Sequence, residues 1–451
     1  MRWRLVLAAL LLSGPVAARS PRDVPSEDKP FKQVDPERGE TEWYSVHFQS
    51  TLATQYHPKF DAPYSGPNSM QSGAESATAL VTTGYLDVRL WKGAELLVNP
   101  ELSGGKGLSQ TKGVAAFPSA IVYRVGDPSP AIYLARLALS QTFGLGGGKV
   151  LVEGGPNELK GSRDRDQLAI TVGRLTVTDV FDGNRWAHDP TERFFNWALF
   201  ASGAWDYPAD TRGYTYGALA DLAIDWWSLR GGIALEPKYG NLRAMDWDIT
   251  RSRGLMLEYE ARYSLLGRRG AWSILLFHNT ARMGSYEQVN EDRGRYGNDI
   301  TATRENGRTK YGFALSMEQQ ITHGLGAFAR LSANDGRNET WAFTEIDRNL
   351  AFGVVQDGEL WKRDRDELGV AMSISGLSKQ HERYLAGGGL GFILGDGKLS
   401  YAPEIVTDLY YKLKLHDNIT LTGLYQPILN PGYNHDRGPV HVLTGRVHVS
   451  F

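Results

Sequence analysis

The end of the chain, residues 440–451, constrains the fold more than any other stretch. Phe451, Val449, Val447 and Leu443 fall on one face, and Ser450, His448, Arg446 and Thr444 on the other. This period of two describes a strand with one apolar and one wet face. It runs to the final residue, an aromatic. An edge strand of that kind invites pairing with other chains. A closed membrane barrel removes the problem, because its last strand pairs with its first. The closing hairpin of a soluble β-protein is the alternative at this point.

The rest of the chain favours the barrel. Its length of 451 residues suits one large barrel, and only 41% of the residues are hydrophobic. The mean hydropathy is negative, at −0.35. Both values fit a spanning sheet in which alternate residues meet lipid, and neither fits a bundle of spanning helices. There are 51 Gly, 21 Tyr, 16 Phe and 12 Trp, the residues of turns and membrane interfaces. With no cysteine, disulfides and thiolate metal sites are excluded. A net charge of −2 gives no electrostatic footprint for nucleic acid.

Residues 1–18 read as a secretory signal peptide: Arg2 and Arg4, an apolar run from Leu5 to Leu12, then a small-residue cleavage site at Val16-Ala17-Ala18. Residues 19–41 carry Pro21, Pro25, Pro30 and Pro36 among charges and read as a mobile lead-in. Residues 42–451 form a single β-domain in this reading.

Alternation recurs along that domain. Tyr44, Val46, Phe48, Leu52 and Tyr56 oppose Ser45, His47, Gln49 and Thr51. Leu86, Val88 and Leu90 oppose Asp87 and Arg89, and Leu255 and Leu257 oppose Glu258 and Arg262. Tyr133 and Ala135 are placed with Leu137 and Leu139 on the apolar face, and Tyr214 with Tyr216 and Leu222. The faces of 271–283 are ambiguous. Tight turns at Lys92-Gly93, 267–270, His323-Gly324 and Asp417-Asn418 alternate with long polar loops at 102–130, 182–212 and 284–308. Short turns on one rim and long loops on the other are the outer-membrane layout. The expectation is an all-β, transmembrane antiparallel β-barrel of about 16 strands with long extracellular loops partly folded into the lumen.

Motifs for catalysis are incomplete. Residues 143–150, Phe-Gly-Leu-Gly-Gly-Gly-Lys-Val, lack the first Gly and the Ser/Thr of a phosphate loop and read as a turn. His381-Glu382-Arg383-Tyr384-Leu385 begins like a zinc-protease helix but has Leu385 at the second histidine. No nucleophile elbow occurs, so no enzyme is expected, and no metal site or cofactor. The densest polar stretch is 178–189, with Asp179, Asp182, His188 and Asp189. Three readings stay open for it: a loop folded on itself by Asx turns, a pore constriction, or a hard-cation site.

Several segments together resemble the carbohydrate-selective porin family, the OprB-like outer-membrane porins. They are residues 60–69 (Phe-Asp-Ala-Pro-Tyr-Ser-Gly-Pro-Asn-Ser), 90–96, 179–184 with His188-Asp189-Pro190, 387–397 and 430–440. The resemblance implies a 16-stranded barrel, inward loops that narrow the pore, and passive diffusion of small neutral sugars such as glucose. Manganese uptake by some members, or a general small-solute porin, are the alternatives it carries; an outer-membrane barrel enzyme is a remote one. Expected partners are sugars, outer-membrane lipid and the barrel-assembly machinery, which Phe451 would address; a homo-oligomer is compatible with all of this. By alternation the pore-lining set is Asp87, Arg89, Glu101, Arg136, Arg230, Glu258, Arg262, Glu318, Arg330 and Glu404, with Asp179 and Asp182 on a loop near the narrowest point. Mixed donors and acceptors would replace the hydration of a neutral sugar without a net charge barrier.

Overall fold

A computed structural model describes residues 41–123 and 128–451. The expected signal peptide and nearly all of the expected mobile lead-in lie outside the described residues. Sixteen strands follow in chain order: β1 (Tyr44–His57), β2 (Glu75–Trp91), β3 (Ala94–Gly105), β4 (Ala131–Val152), β5 (Gly161–Leu175), β6 (Thr215–Ile224), β7 (Trp227–Leu235) and β8 (Arg253–Leu265). Then come β9 (Arg268–Ala281), β10 (Arg308–Gln320), β11 (Leu325–Asn334), β12 (Arg348–Asp357), β13 (Glu367–Gly376), β14 (Glu404–His416), β15 (Ile419–Leu429) and β16 (Val440–Ser450). Each strand pairs antiparallel with its neighbours in sequence, and β1 closes on β16 with Gln49 opposite Ser450 and Tyr56 opposite Leu443. Phe451 continues the seam: its N–H donates to Phe48 O (2.8 Å) and Phe48 N–H donates to Phe451 O (3.0 Å). The closure leaves β1 and β16 no free edge along the barrel wall.

The connections alternate in length. One rim has the turns 92–93, 225–226, 266–267 and 417–418; the other has loops such as 58–74, 106–130, 176–214, 282–307 and 377–403. β3 therefore runs further than expected, to Gly105, and the 182–212 loop begins earlier, at 176. Residues 143–150 are not a turn: they lie within β4, which continues to Val152.

The outer wall is apolar and exposed, with Leu86 (38%), Leu137 (45%), Leu257 (49%) and Leu409 (39%) on it. In β9, from Ala271 to Asn279, even-numbered side chains face out and odd-numbered ones face in. Trp272 and Leu276 are exposed, while Leu275 and Phe277 are buried. Both faces carry apolar residues because the inner one packs on loops folded into the barrel.

Two expected faces change. Asn99 pairs with Arg136 and Pro100 with Leu134, so Ala135 is an extra residue in β4. Such a bulge shifts every side chain before it to the opposite face. Ile132 and Leu134 are exposed, and Tyr133 turns inward to donate to Glu101. Tyr214 precedes β6, is buried, and also donates to Glu101, at 2.9 Å.

Candidate pore cavity and its inward loop

The barrel is not an open tube. Loop 176–214 crosses the interior and rests on the far wall. Phe194, Phe195 and Leu199, the last in α1 (Trp197–Phe200), pack against inward Phe328, Ala351, Val355, Ala371, Tyr410 and Leu424 of β11–β15. These apolar patches lie among inward charges, and covering them with a loop removes apolar surface from water.

Inward charges of the wall then take up the loop's backbone groups, which would be costly to bury unpaired. Arg330 donates to Ala187 O (2.7 Å), Asp182 O (2.9 Å) and Leu199 O. Asp182 N–H donates to Glu258 (2.7 Å), and Arg185 N–H to Glu318 (2.6 Å). Phe195 and Asn196 N–H donate to Asp408 (2.8 and 3.1 Å). On loop 106–130, Ala115 and Ala116 N–H donate to Glu404 (3.0 and 2.7 Å). Loop residue Glu192 sits between Lys412 (3.5 Å) and Lys414 (3.7 Å). Burial pushes its carboxyl up, but Lys412, His448, Lys414 and Arg193 outweigh this and hold it down at about 2.

Against the opposite wall, from β2 to β10, an open cavity of about 830 Å³ remains below the 176–188 segment. Of the twelve residues expected to line the pore, Arg89, Arg136, Asp179, Arg230, Arg262 and Glu318 border this cavity. The other six do not. Glu258, Arg330 and Glu404 face inward but are spent on the loop backbone as above, and the carboxylate of Asp182, itself in the loop, accepts from Ser202 beside Arg330. Glu101 is covered by Thr83 (2.8 Å), Tyr133 and Tyr214. Asp87 is fully buried near the 153–160 turn. Alternation gives the direction of a side chain, while a loop arriving from elsewhere decides whether it meets water.

At the roof of the cavity Asp179 is 41% exposed and forms a two-pronged pair with Arg136, at 2.6 and 2.7 Å. Below it Arg230 bridges Glu258 (2.6 Å) and Glu260 (2.8 Å), and Arg262 joins Glu260 at 3.0 Å. Sequence reasoning missed Gln167, Arg185, Trp186, Gln319 and Gln320, which border the same space. Arg185 and Trp186 lay inside the polar stretch singled out above, so a signal was present. The three carboxylates of that stretch do not converge on a cation: Asp179 pairs with Arg136, Asp182 accepts from Ser202, and Asp189 accepts from Thr191. Asx turns do shape it, with Asn184 accepting from Trp186 and Ala187 N–H.

On the long-loop side, His381 of α2 (Lys379–Ala386) is fully buried. Its Nδ1 lies 3.0 Å from Asp347, its Nε2 3.8 Å from Glu345, and its ring stacks on Tyr286 at 4.2 Å. Glu345 also accepts from Ile393 and Leu394 N–H, and Lys310 acts on Asp347 from β10. Burial pulls the imidazole pKa down, but Asp347 and Glu345 outweigh it and raise it above 6.5. A raised folded-state value means stability that is present below the unfolded value and lost as pH rises through the folded one. Thermal unfolding in detergent is therefore expected to shift to lower temperature as pH rises above about 6.5. His381→Asn should flatten that part of the profile; parallel profiles for the two proteins would refute the assignment.

The family model described as "Carbohydrate-selective porin, OprB family" matches residues 87–451. The high-pH structure of Pseudomonas putida OprB superposes with TM-score 0.69 and 16% identity over 90% of this chain and 94% of that one. Its low-pH structure gives 0.50 and 12% over 90% and 92%, and the outer-membrane channel DcaP of Acinetobacter baumannii 0.51 and 8% over 90% and 97%. At these identities the structures show a shared fold. No curated protein matches the chain. The family match spans most of the sequence, and the chain belongs to the carbohydrate-selective porins of the OprB family.

Proposed function

We propose that this protein is a passive channel for small neutral sugars across a Gram-negative outer membrane, and that the cavity beneath loop 176–214 is its selective segment. The carrying observation is the lining of that cavity, where arginines and carboxylates occur as pairs beside amides and Trp186. Paired charges offer donors and acceptors to hydroxyl groups while leaving a small net field. Arg supplies forked donors, and an aromatic ring offers a face for the apolar side of a sugar ring. A channel for divalent cations would put unneutralised carboxylates at the narrowest point. Here Asp179 is shared with Arg136, which supports the sugar reading over the cation one. The fold and family favour a channel over a barrel enzyme.

Asp179→Asn separates the readings, because Asp179 borders the cavity while the nearby Asp182 is a loop anchor. Losing one exposed acceptor is expected to reduce glucose flux in liposomes about fivefold, the equivalent of one hydrogen bond of about 1 kcal/mol. Ion selectivity should move toward anions as Arg136 is released. Loss of cation preference with unchanged glucose flux would overturn the sugar reading and favour the cation one. No change in either places Asp179 outside the conducting path.

A further inference from the structure

We propose that the β4–β5 hairpin is a hinged gate at the short-turn mouth of the cavity, a reading that rests on the channel function above. β4 last pairs with β3 where Gln141 meets Ala94, and β5 last pairs with β6 where Gln167 meets Ala223. Beyond those points the two strands pair with each other alone, to Val152 opposite Gly161. A straight ribbon would project away from the barrel. This one bends. Between the pairs Gly144–Gln167 and Lys149–Asp164, β4 advances five residues and β5 three. Extra residues on one strand of a pair bend it.

The bend lies at Gly146, Gly147 and Gly148, which have φ of +96°, +75° and +95°. Only glycine adopts three such values in succession without strain. A Cβ built on Gly146 or Gly148 meets nothing within 4 Å, while one on Gly147 would meet the Asp166 carboxylate at 2.5 Å, so only a glycine fits at the middle of the bend. The bend brings the tip, residues 153–160, into the mouth. Asn157 Oδ1 accepts from Asn99 Nδ2 at 2.9 Å, and Asn99 is fully buried on the inner face of β3. Lys160 N–H donates to the Glu42 carboxylate at 2.9 Å, and Glu42 N–H donates to Lys160 O at 3.1 Å. Lys149, Asn157, Leu159 and Asp164 border the cavity, so a solute leaving it passes the hairpin.

The tip is held by hydrogen bonds, those to Asn99 and Glu42 and those of the Asn157 and Glu158 backbone to the buried Asp87 carboxylate, and by one buried apolar side chain, Leu159. No hairpin residue beyond Gly144 belongs to the barrel's apolar clusters among the described residues. Segments with few apolar contacts open at low free energy, and hinge closure needs a few residues that absorb a large backbone change. The glycine run supplies those residues, and the contacts of the tip with Asn99 and Asp87 on the barrel wall supply the latch.

The chain contains no cysteine, so Asn99→Cys with Asn157→Cys gives a clean cross-link. The pair is joined by oxidation or a short thiol-reactive linker, verified by gel mobility, and ion conductance is read in planar bilayers. Joining is expected to abolish conductance, and cleaving the joint to restore it. Equal conductance in the joined and cleaved protein overturns the gate. A second variant lacking residues 145–164 keeps every pair of the barrel wall and should conduct more than the unmodified chain; equal or lower conductance also overturns it. Glucose flux is measured on the same samples. Its absence while ions still pass would overturn the sugar reading alone, and the gate is then decided by the ion data.

Discussion

Replacing Arg330 by methionine is expected to release the loop that divides the barrel and to raise the single-channel conductance. Arg330 is 1% exposed on the inner face of β11. Its guanidinium holds three loop carbonyls, of Asp182, Ala187 and Leu199, and its Nε lies 3.5 Å from the Asp182 carboxylate. These points are spread over the loop from its descent to α1, so one side chain fixes the loop in three places. Methionine has a similar reach but no donor. Three carbonyls and the Asp182 carboxylate would lose a partner in a place water hardly enters. Removing one member of a buried charged group typically costs about 3–5 kcal/mol, mostly from the groups left behind. The apolar seat of Phe194, Phe195 and Leu199 on the far wall remains, so the loop should loosen without leaving the barrel. Bilayer recordings should show higher and noisier conductance, with thermal unfolding at lower temperature. A variant with wild-type conductance and stability would mean that the loop is held by its apolar contacts alone.

The direction of an inward side chain can be read from the sequence, but what it meets cannot. Arg330, Glu258, Glu318 and Glu404 were legible as inward residues because the strand period is two and their neighbours are apolar. Their partners were not legible. Whether an inward carboxylate meets a sugar path or a loop amide depends on where a loop of low periodicity travels, and loop 176–214 crosses to strands far away in sequence. The same loop hides β12 and β13 from pattern reading. Phe352 and Val370 are exposed on the outer wall, while Ala351, Val355 and Ala371 on the inner wall carry the loop. A strand that is apolar on both faces loses its alternation. The bulge at Ala135 is a third case: one inserted residue turned Tyr133 inward, and nothing in its composition announces it. The glycine run 144–148 did announce itself as unusual backbone, but it sits inside a strand that outruns its neighbours, which only the pairing shows.

The largest effect on assembly is expected at the outer wall. Leu257 is 49% exposed near the middle of β8, with Gly231 and Leu276 as its cross-strand partners. In water an uncovered band of Leu, Val, Trp and Tyr would be a strong aggregation hazard. In hydrocarbon the same band has no cost, and every backbone group behind it is satisfied by the closed ladder. Leu257→Arg therefore has an expected sign and size. An arginine on the lipid face near the midplane costs about 2–4 kcal/mol, because its head must stay solvated or thin the bilayer around it. An arginine at Ser140, which borders the cavity, keeps its head in water and should cost a fraction of that. Reversible folding into lipid vesicles, followed by tryptophan fluorescence or the heat-dependent gel shift, measures both variants against the parent. Equal penalties at the two positions would mean that the exposed leucines do not face lipid. A large penalty at Leu257 with a small one at Ser140 requires the inside-out arrangement, wet within and apolar without, that the terminal strand displays in Val447 and Leu443 against Arg446 and Thr444.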